Sequence, residues 1–165
     1  MLAIVGCGNP TRSDDGLGPL VARRLGARLA ASGRTDVRAF DAGTDGMAVM
    51  FAARGCDALV IVDAARTGIE PGAIYEVPGE VLAREYPASL NLHDFRWNHA
   101  LASGRRIFGE AFPAAITVLL VEVANTDFGL DLSPRVAAAA ETIVARLERI
   151  VDAYRMTSPV VGTTA

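Results

Sequence analysis

Residues 58–62, Ala-Leu-Val-Ile-Val, form an unbroken apolar run that stops at a carboxylate, Asp63. The run is too short for a helix and offers no polar face to water, so it reads as a strand covered on both sides. Such a strand belongs to a parallel sheet lying between layers of helices. The rest of the chain repeats the pattern. Residues 2–5 are a second continuous apolar run, closed by Gly6-Cys7-Gly8. Leu17, Leu20, Val21, Leu25 and Leu29 then recur every three or four residues as one helical stripe, with Pro19 tolerated in the first turn. Residues 37–40, 73–77 and 116–123 read as further strands, and 47–53 and 97–108 as helices, the latter with Trp97, Ala100, Leu101 and Ile107 near one face. Ser133 and Pro134 mark the start of a long final helix carrying Val136, Ala140, Ile143, Val144, Leu147, Ile150, Val151 and Tyr154. The expectation is a three-layer α/β single domain over 1–156, with a mostly parallel twisted sheet and helices on both faces. Segment 73–77, which follows the turn Gly68-Ile-Glu-Pro-Gly72, is free to run antiparallel. Residues 157–165 lack periodicity and read as a flexible tail.

Composition narrows the function. Half of the 165 residues are apolar and 21% are charged, as in a folded domain with one core. The net charge of −3 gives no basic face for nucleic acid. No stretch approaches the roughly twenty apolar residues that span a bilayer. The apolar N-terminus lacks a basic leader and runs into glycines, so it reads as a strand and not as a signal peptide. Cys7 and Cys56 are too few for a disulfide framework and read as small buried hydrophobes, which fits the cytoplasm.

In open parallel sheets, ligands bind beyond the carboxyl ends of the strands. Three acidic segments fall there: Asp14-Asp15 in the loop after the first strand, Asp41 to Gly46 after the second, and Asp63 after the third. The irregular segment carrying His93 is placed to fold over the same edge. Taken singly, the Asp14-Asp15 pair reads as a helix cap before Leu17, Asp63 as the cap of a turn, and His93 as a surface histidine. Together, two carboxylates and an imidazole make a half-complete shell for a first-row metal, with coordination positions left open. Asp94 beside His93 is a candidate to orient the imidazole. Gly6-x-Gly8 invites a phosphate-cradle reading, but Thr11 stands where a third glycine is required and two aspartates would repel the anion.

The motifs and their order resemble the hydrogenase maturation endopeptidases. Gly6-Cys7-Gly8-Asn9 followed by Asp14-Asp15-Gly16-Leu17-Gly18 is similar to that family's first motif. Asp41-Ala42-Gly43-Thr44-Asp45-Gly46, Val62-Asp63-Ala64, the His93 loop and Gly129-Leu130-Asp131-Leu132-Ser133-Pro134 follow in the family's order, and the likeness spans roughly residues 2–155. The resemblance implies a five-stranded, phosphorylase/hydrolase-like sheet flanked by helices. It implies that Asp15, Asp63 and His93 contact nickel and serve as the catalytic and metal-reading residues. It further implies an endopeptidase that removes a C-terminal extension from a nickel-iron hydrogenase large-subunit precursor after nickel insertion. The nickel then belongs to the precursor and is ligated transiently, with no permanently bound cofactor. The chain departs from the family at Pro10-Thr11-Arg12-Ser13, at Asn91-Leu92, and in lacking a Glu-Pro pair after the strand that holds Glu122; the three proposed ligands are intact.

Two other readings use the same residues. A non-catalytic metal- or nucleotide-sensing module would bind at the acidic edge without cleaving anything. A peptidyl-tRNA hydrolase-like enzyme shares the Gly-x-Gly-Asn-Pro opening, but it needs a histidine-asparagine pair after Thr11-Arg12, where this chain has Ser13-Asp14. Its tRNA substrate would also call for positive charge.

Overall fold

A computed structural model describes residues 1–82 and 96–157. Five strands form one sheet: β1 (Leu2–Cys7), β2 (Val37–Gly43), β3 (Ala58–Ala65), β4 (Ile74–Pro78) and β5 (Ala115–Glu122), in the spatial order β2-β1-β3-β5-β4. The first four in that order are parallel, and β4 lies antiparallel on β5 at the edge. The helices are α1 (Leu17–Ala31), α2 (Gly46–Ala53), a single turn α3 (Gly79–Leu82), α4 (Trp97–Phe108) and α5 (Pro134–Thr157). The α/β architecture with a mostly parallel sheet is the one expected. The boundary read at residue 156 falls in the last turn of α5, and residues 158–165 lie outside the described residues.

Because strand side chains alternate in direction, each apolar run feeds two cores. Leu2, Ile4, Val60, Val62, Leu119 and Val121 pack under α1 and α5. Ala3, Val5, Cys7, Leu59, Ile61 and Val118 pack under α2 and α4. This parity decides where the strand-end residues point: Asp63 continues the Leu59–Ile61 series and emerges on the α4 side.

The sheet and α1 touch at their backbones. A Cβ on Gly18 would stand 2.1 Å from the Cys7 carbonyl oxygen and 2.5 Å from that of Val62, and one on Gly6 would stand 2.0 Å from the Gly18 carbonyl oxygen. The glycines of the first motif therefore bring helix and strand together and leave no room for a phosphate cradle between them.

Three local expectations change. β3 does not end at Asp63 but continues to Ala65, because Ala64 and Ala65 still find partners in Val121 and Glu122 of β5. Ile107 is 64% exposed; α4 buries Ala100 and Leu101 as expected, with Gly104 in place of Ile107. Ser133 precedes α5 as read, but its hydroxyl donates to Asp14 (3.0 Å).

Candidate active site

The loops that follow β1, β2, β3 and β5 all leave the same edge of the sheet, as parallel strands require. They enclose a cleft of about 450 Å³, whose walls include Arg12, Asp15, Gly43 to Gly46, Asp63 to Arg66, Thr126, and Arg96 and Trp97 at the head of α4.

Asp14 and Asp15 are neighbours with opposite tasks. Neither caps α1, whose N-cap is Gly16 without a side-chain bond. Asp14 turns inward, is fully buried, and accepts hydrogen bonds from the backbone N–H groups of Ala124 (2.9 Å), Asn125 (3.0 Å) and Ser133 (2.6 Å), besides the Ser133 hydroxyl. It ties the first loop to the loop between β5 and α5. Asp15 turns outward into the cleft and, among the described residues, accepts only from the Asn9 N–H (2.9 Å), which leaves its second oxygen for a ligand. Asn9 holds the turn itself, its side-chain oxygen accepting from the Thr11 N–H and hydroxyl.

Asp63 faces the cleft from the end of the sheet. Its Oδ1 accepts from the Ala64 N–H (2.8 Å) and its Oδ2 from the indole N–H of Trp97 (2.6 Å). Burial pushes this carboxyl up to about 6 from its ordinary 3.8; the hydrogen bonds from Trp97 and Ala64 and the charge of Arg96 oppose that rise, and the Asp15 charge adds to it. A desolvated carboxylate with a second carboxylate in the same cleft is a site prepared for positive charge.

The remaining acidic segment, after β2, serves structure. Asp41 pairs with Arg23 (2.8 Å) and accepts from the Gly43 N–H, and Asp45 caps α2 through Met47 and Ala48. His93 and Asp94 lie outside the described residues. His99 accepts from the Arg96 N–H at the start of α4. Among the described residues, no three His, Cys, Asp or Glu side chains are grouped as a metal site. Cys7 lines the cleft, but burial and then the charges of Asp63 and Asp41 hold its thiol well above the usual range, which makes it a poor nucleophile.

Sequence reasoning gave two of these residues no role. Trp97 was assigned only to a helix face, and its indole N–H instead orients Asp63. Glu122 was counted within a strand. Its buried carboxylate accepts from the N–H groups of Thr67 and Gly68 (2.8 Å each) and from the Thr67 hydroxyl (2.8 Å), fixing the loop that continues from the cleft wall at Arg66. A lone charge inside an apolar strand was the available signal. Burial pushes its carboxyl up, but those hydrogen bonds prevail and hold it below the ordinary value of 4.5. Its folded-state pKa is thus below its unfolded one, so its stabilisation is present above 4.5 and is lost as pH falls. Glu122→Gln is expected to lower the Tm at pH 7 and to speed amide exchange at Thr67 and Gly68. Unchanged exchange there would remove the loop-fixing role.

A family model for hydrogenase maturation proteases matches residues 19–150. Over 137 residues the chain is 28% identical to the hydrogenase expression/formation protein HupD of Thiocapsa roseopersicina, covering 82% of this chain and 60% of that protein. It is 29% identical over 146 residues to HupM of Azotobacter chroococcum mcd 1, covering 87% and 68%. The chain thus spans less than two thirds of the length of the first of these. The fold is that of the hydrogenase maturating endopeptidase HybD from E. coli, with a TM-score of 0.73 at 22% identity over 95% of this chain and 93% of that one. With the family match running from α1 to α5, the chain belongs to the hydrogenase maturation protease family.

Proposed function

We propose that this chain is the endopeptidase that removes the C-terminal extension of a nickel-iron hydrogenase large-subunit precursor, and that it reads the nickel the precursor already carries. The observation that carries this reading is the pairing of Asp15 and Asp63 in one cleft, where burial and then the Asp15 charge raise the Asp63 carboxyl and neither carboxylate is neutralised by an ion pair among the described residues. A divalent cation delivered by the substrate relieves that repulsion. Two carboxylates, and His93 as the third donor, leave coordination positions for ligands that the precursor brings with its metal. The site then distinguishes loaded from empty precursor by differential binding.

Asp63 also suits the chemistry. In the metal-free cleft a carboxyl held near 6 is largely ionised at neutral pH and ready for the cation, and an oxygen not ligated to the metal can accept a proton from an attacking water. The nickel, once bound, supplies a Lewis acid for the scissile carbonyl. No helix of the described residues is long and apolar enough to cross a membrane. The reaction is assigned to the cytoplasm, where Cys7 and Cys56, both unpaired, stay reduced.

Incubation with a cognate precursor tests this. Intact-mass measurement is expected to show loss of a C-terminal peptide from the nickel-loaded form and none from the empty form, and His93→Ala is expected to abolish the loss. Nickel-dependent association without any cleavage would establish the metal-sensing module instead.

A further inference from the structure

The Gly129-to-Pro134 motif has no part in the site described so far, yet the loop that contains it is unusually well held. Asp14 ties it down at both ends, through Ala124, Asn125 and Ser133. In its middle, the Ser13 N–H donates to the Gly129 carbonyl (2.9 Å), the Gly129 N–H donates to the Thr11 carbonyl (3.0 Å), and the Ser13 hydroxyl donates to the Asp127 carbonyl (3.0 Å). Ser13 adopts φ +48° to make these contacts, a conformation that a non-glycine residue enters at a cost. A Cβ on Gly129 would stand 2.6 Å from the Ser13 hydroxyl, so the Ser13 side chain sits directly on the Gly129 backbone.

This clamped backbone presents two large apolar side chains to solvent: Phe128 is 84% exposed and Leu130 79%. Apart from one cation on the Phe128 ring, so exposed a pair gains little within the monomer, and an exposed apolar patch marks an interaction surface. The Arg12 guanidinium lies 5.1 Å over the Phe128 ring and also forms part of the cleft wall. Arg66 reaches Thr126 on the same rim (3.5 Å). Neither arginine has a carboxylate partner among the described residues. The patch is therefore continuous with the candidate active site, and its cationic side faces the cleft.

We infer that Phe128 and Leu130, together with Arg12, are the docking platform for the large-subunit precursor. It grips an apolar side chain of the precursor against the Phe128–Leu130 pair and a nearby precursor carboxylate on Arg12, while the peptide to be cut enters the cleft. The inference rests on the processing reading above. Because the loop is already ordered, little conformational entropy is lost on docking, and the platform acts on affinity and not on the chemical step.

The test is steady-state processing of nickel-loaded precursor by the full chain. Phe128→Ser with Leu130→Ser is expected to raise KM roughly 10–100-fold with kcat within about twofold, as for loss of an interface hot spot. Both side chains are exposed, so the Tm should hold. Arg12→Glu is expected to raise KM and flatten its dependence on salt, and Phe128→Tyr is expected to retain the wild-type KM. A double variant with wild-type KM overturns the platform, as does one that loses kcat at unchanged KM. If the wild-type chain leaves the precursor uncut, the processing reading itself falls, and the platform with it.

Discussion

Asp63→Asn is expected to reduce processing by about 10²–10⁴-fold, the range for removing a positioned base, without unfolding the protein. Two opposing terms keep the fold intact. Asp63 binds its proton more tightly folded than unfolded, so its contribution to stability is complete below 3.8 and is lost as pH rises through about 6. At pH 7 the buried charge costs about 3 kcal/mol, by the rule of 1.36 kcal/mol per pKa unit. The amide removes that charge, but its NH₂ must face one of two donors, the Ala64 N–H or the Trp97 indole, at a cost of roughly 1–3 kcal/mol. The two nearly cancel, and the Tm should stay or rise slightly. In the wild-type protein the acid limb of kcat/KM should fall near pH 6, because only the ionised carboxylate ligates a cation or accepts a proton. A limb near pH 4, or full activity in the asparagine variant, would remove Asp63 from the site.

Asp14→Ala should do the reverse, acting through the stability of the fold and not through the chemistry. The substitution leaves three backbone N–H groups and a hydroxyl without their anionic acceptor in a fully buried position. Breaking a buried, hydrogen-bonded charge of this kind costs on the order of 4 kcal/mol. For a domain of this size that is a fall in Tm of about 10 °C. Asp15→Asn, one residue along, touches a single hydrogen bond among the described residues, from the Asn9 N–H, which the amide oxygen can still accept, so it should keep the wild-type Tm while losing processing. Thermal melts of the two variants side by side decide the matter. Equal Tm values would mean that the inward and outward assignments of the pair are wrong.

That contrast shows where the sequence was informative. Asp15 and Asp63 were legible because parallel-sheet topology sends every strand-end residue to one edge, and residue parity along β3 then directs Asp63 towards α4. The division of labour between Asp14 and Asp15 was not legible. Asp14's partners lie 110 to 119 residues away, and no local pattern encodes a hydrogen bond over that separation. The same holds for Glu122 with Thr67 and for the two residues by which β3 overruns Asp63, both set by pairing between distant segments. Ile107 misled because its hydrophobicity counted in a periodicity argument, whereas the helix turns Gly104 towards the core, against Phe112. The glycines of the first loop were read for what they might bind, when their small size is needed for α1 to reach the sheet.

Trp97 is the only tryptophan in the chain, and its indole nitrogen is bonded to the carboxylate at the centre of the cleft. Its fluorescence therefore has a single source, fixed to a single atom of functional interest. Any cation or proton that claims Asp63 changes the electronic surroundings of that fluorophore directly. The protein thus carries its own optical probe, and filling of the site and emission of light become two views of one event.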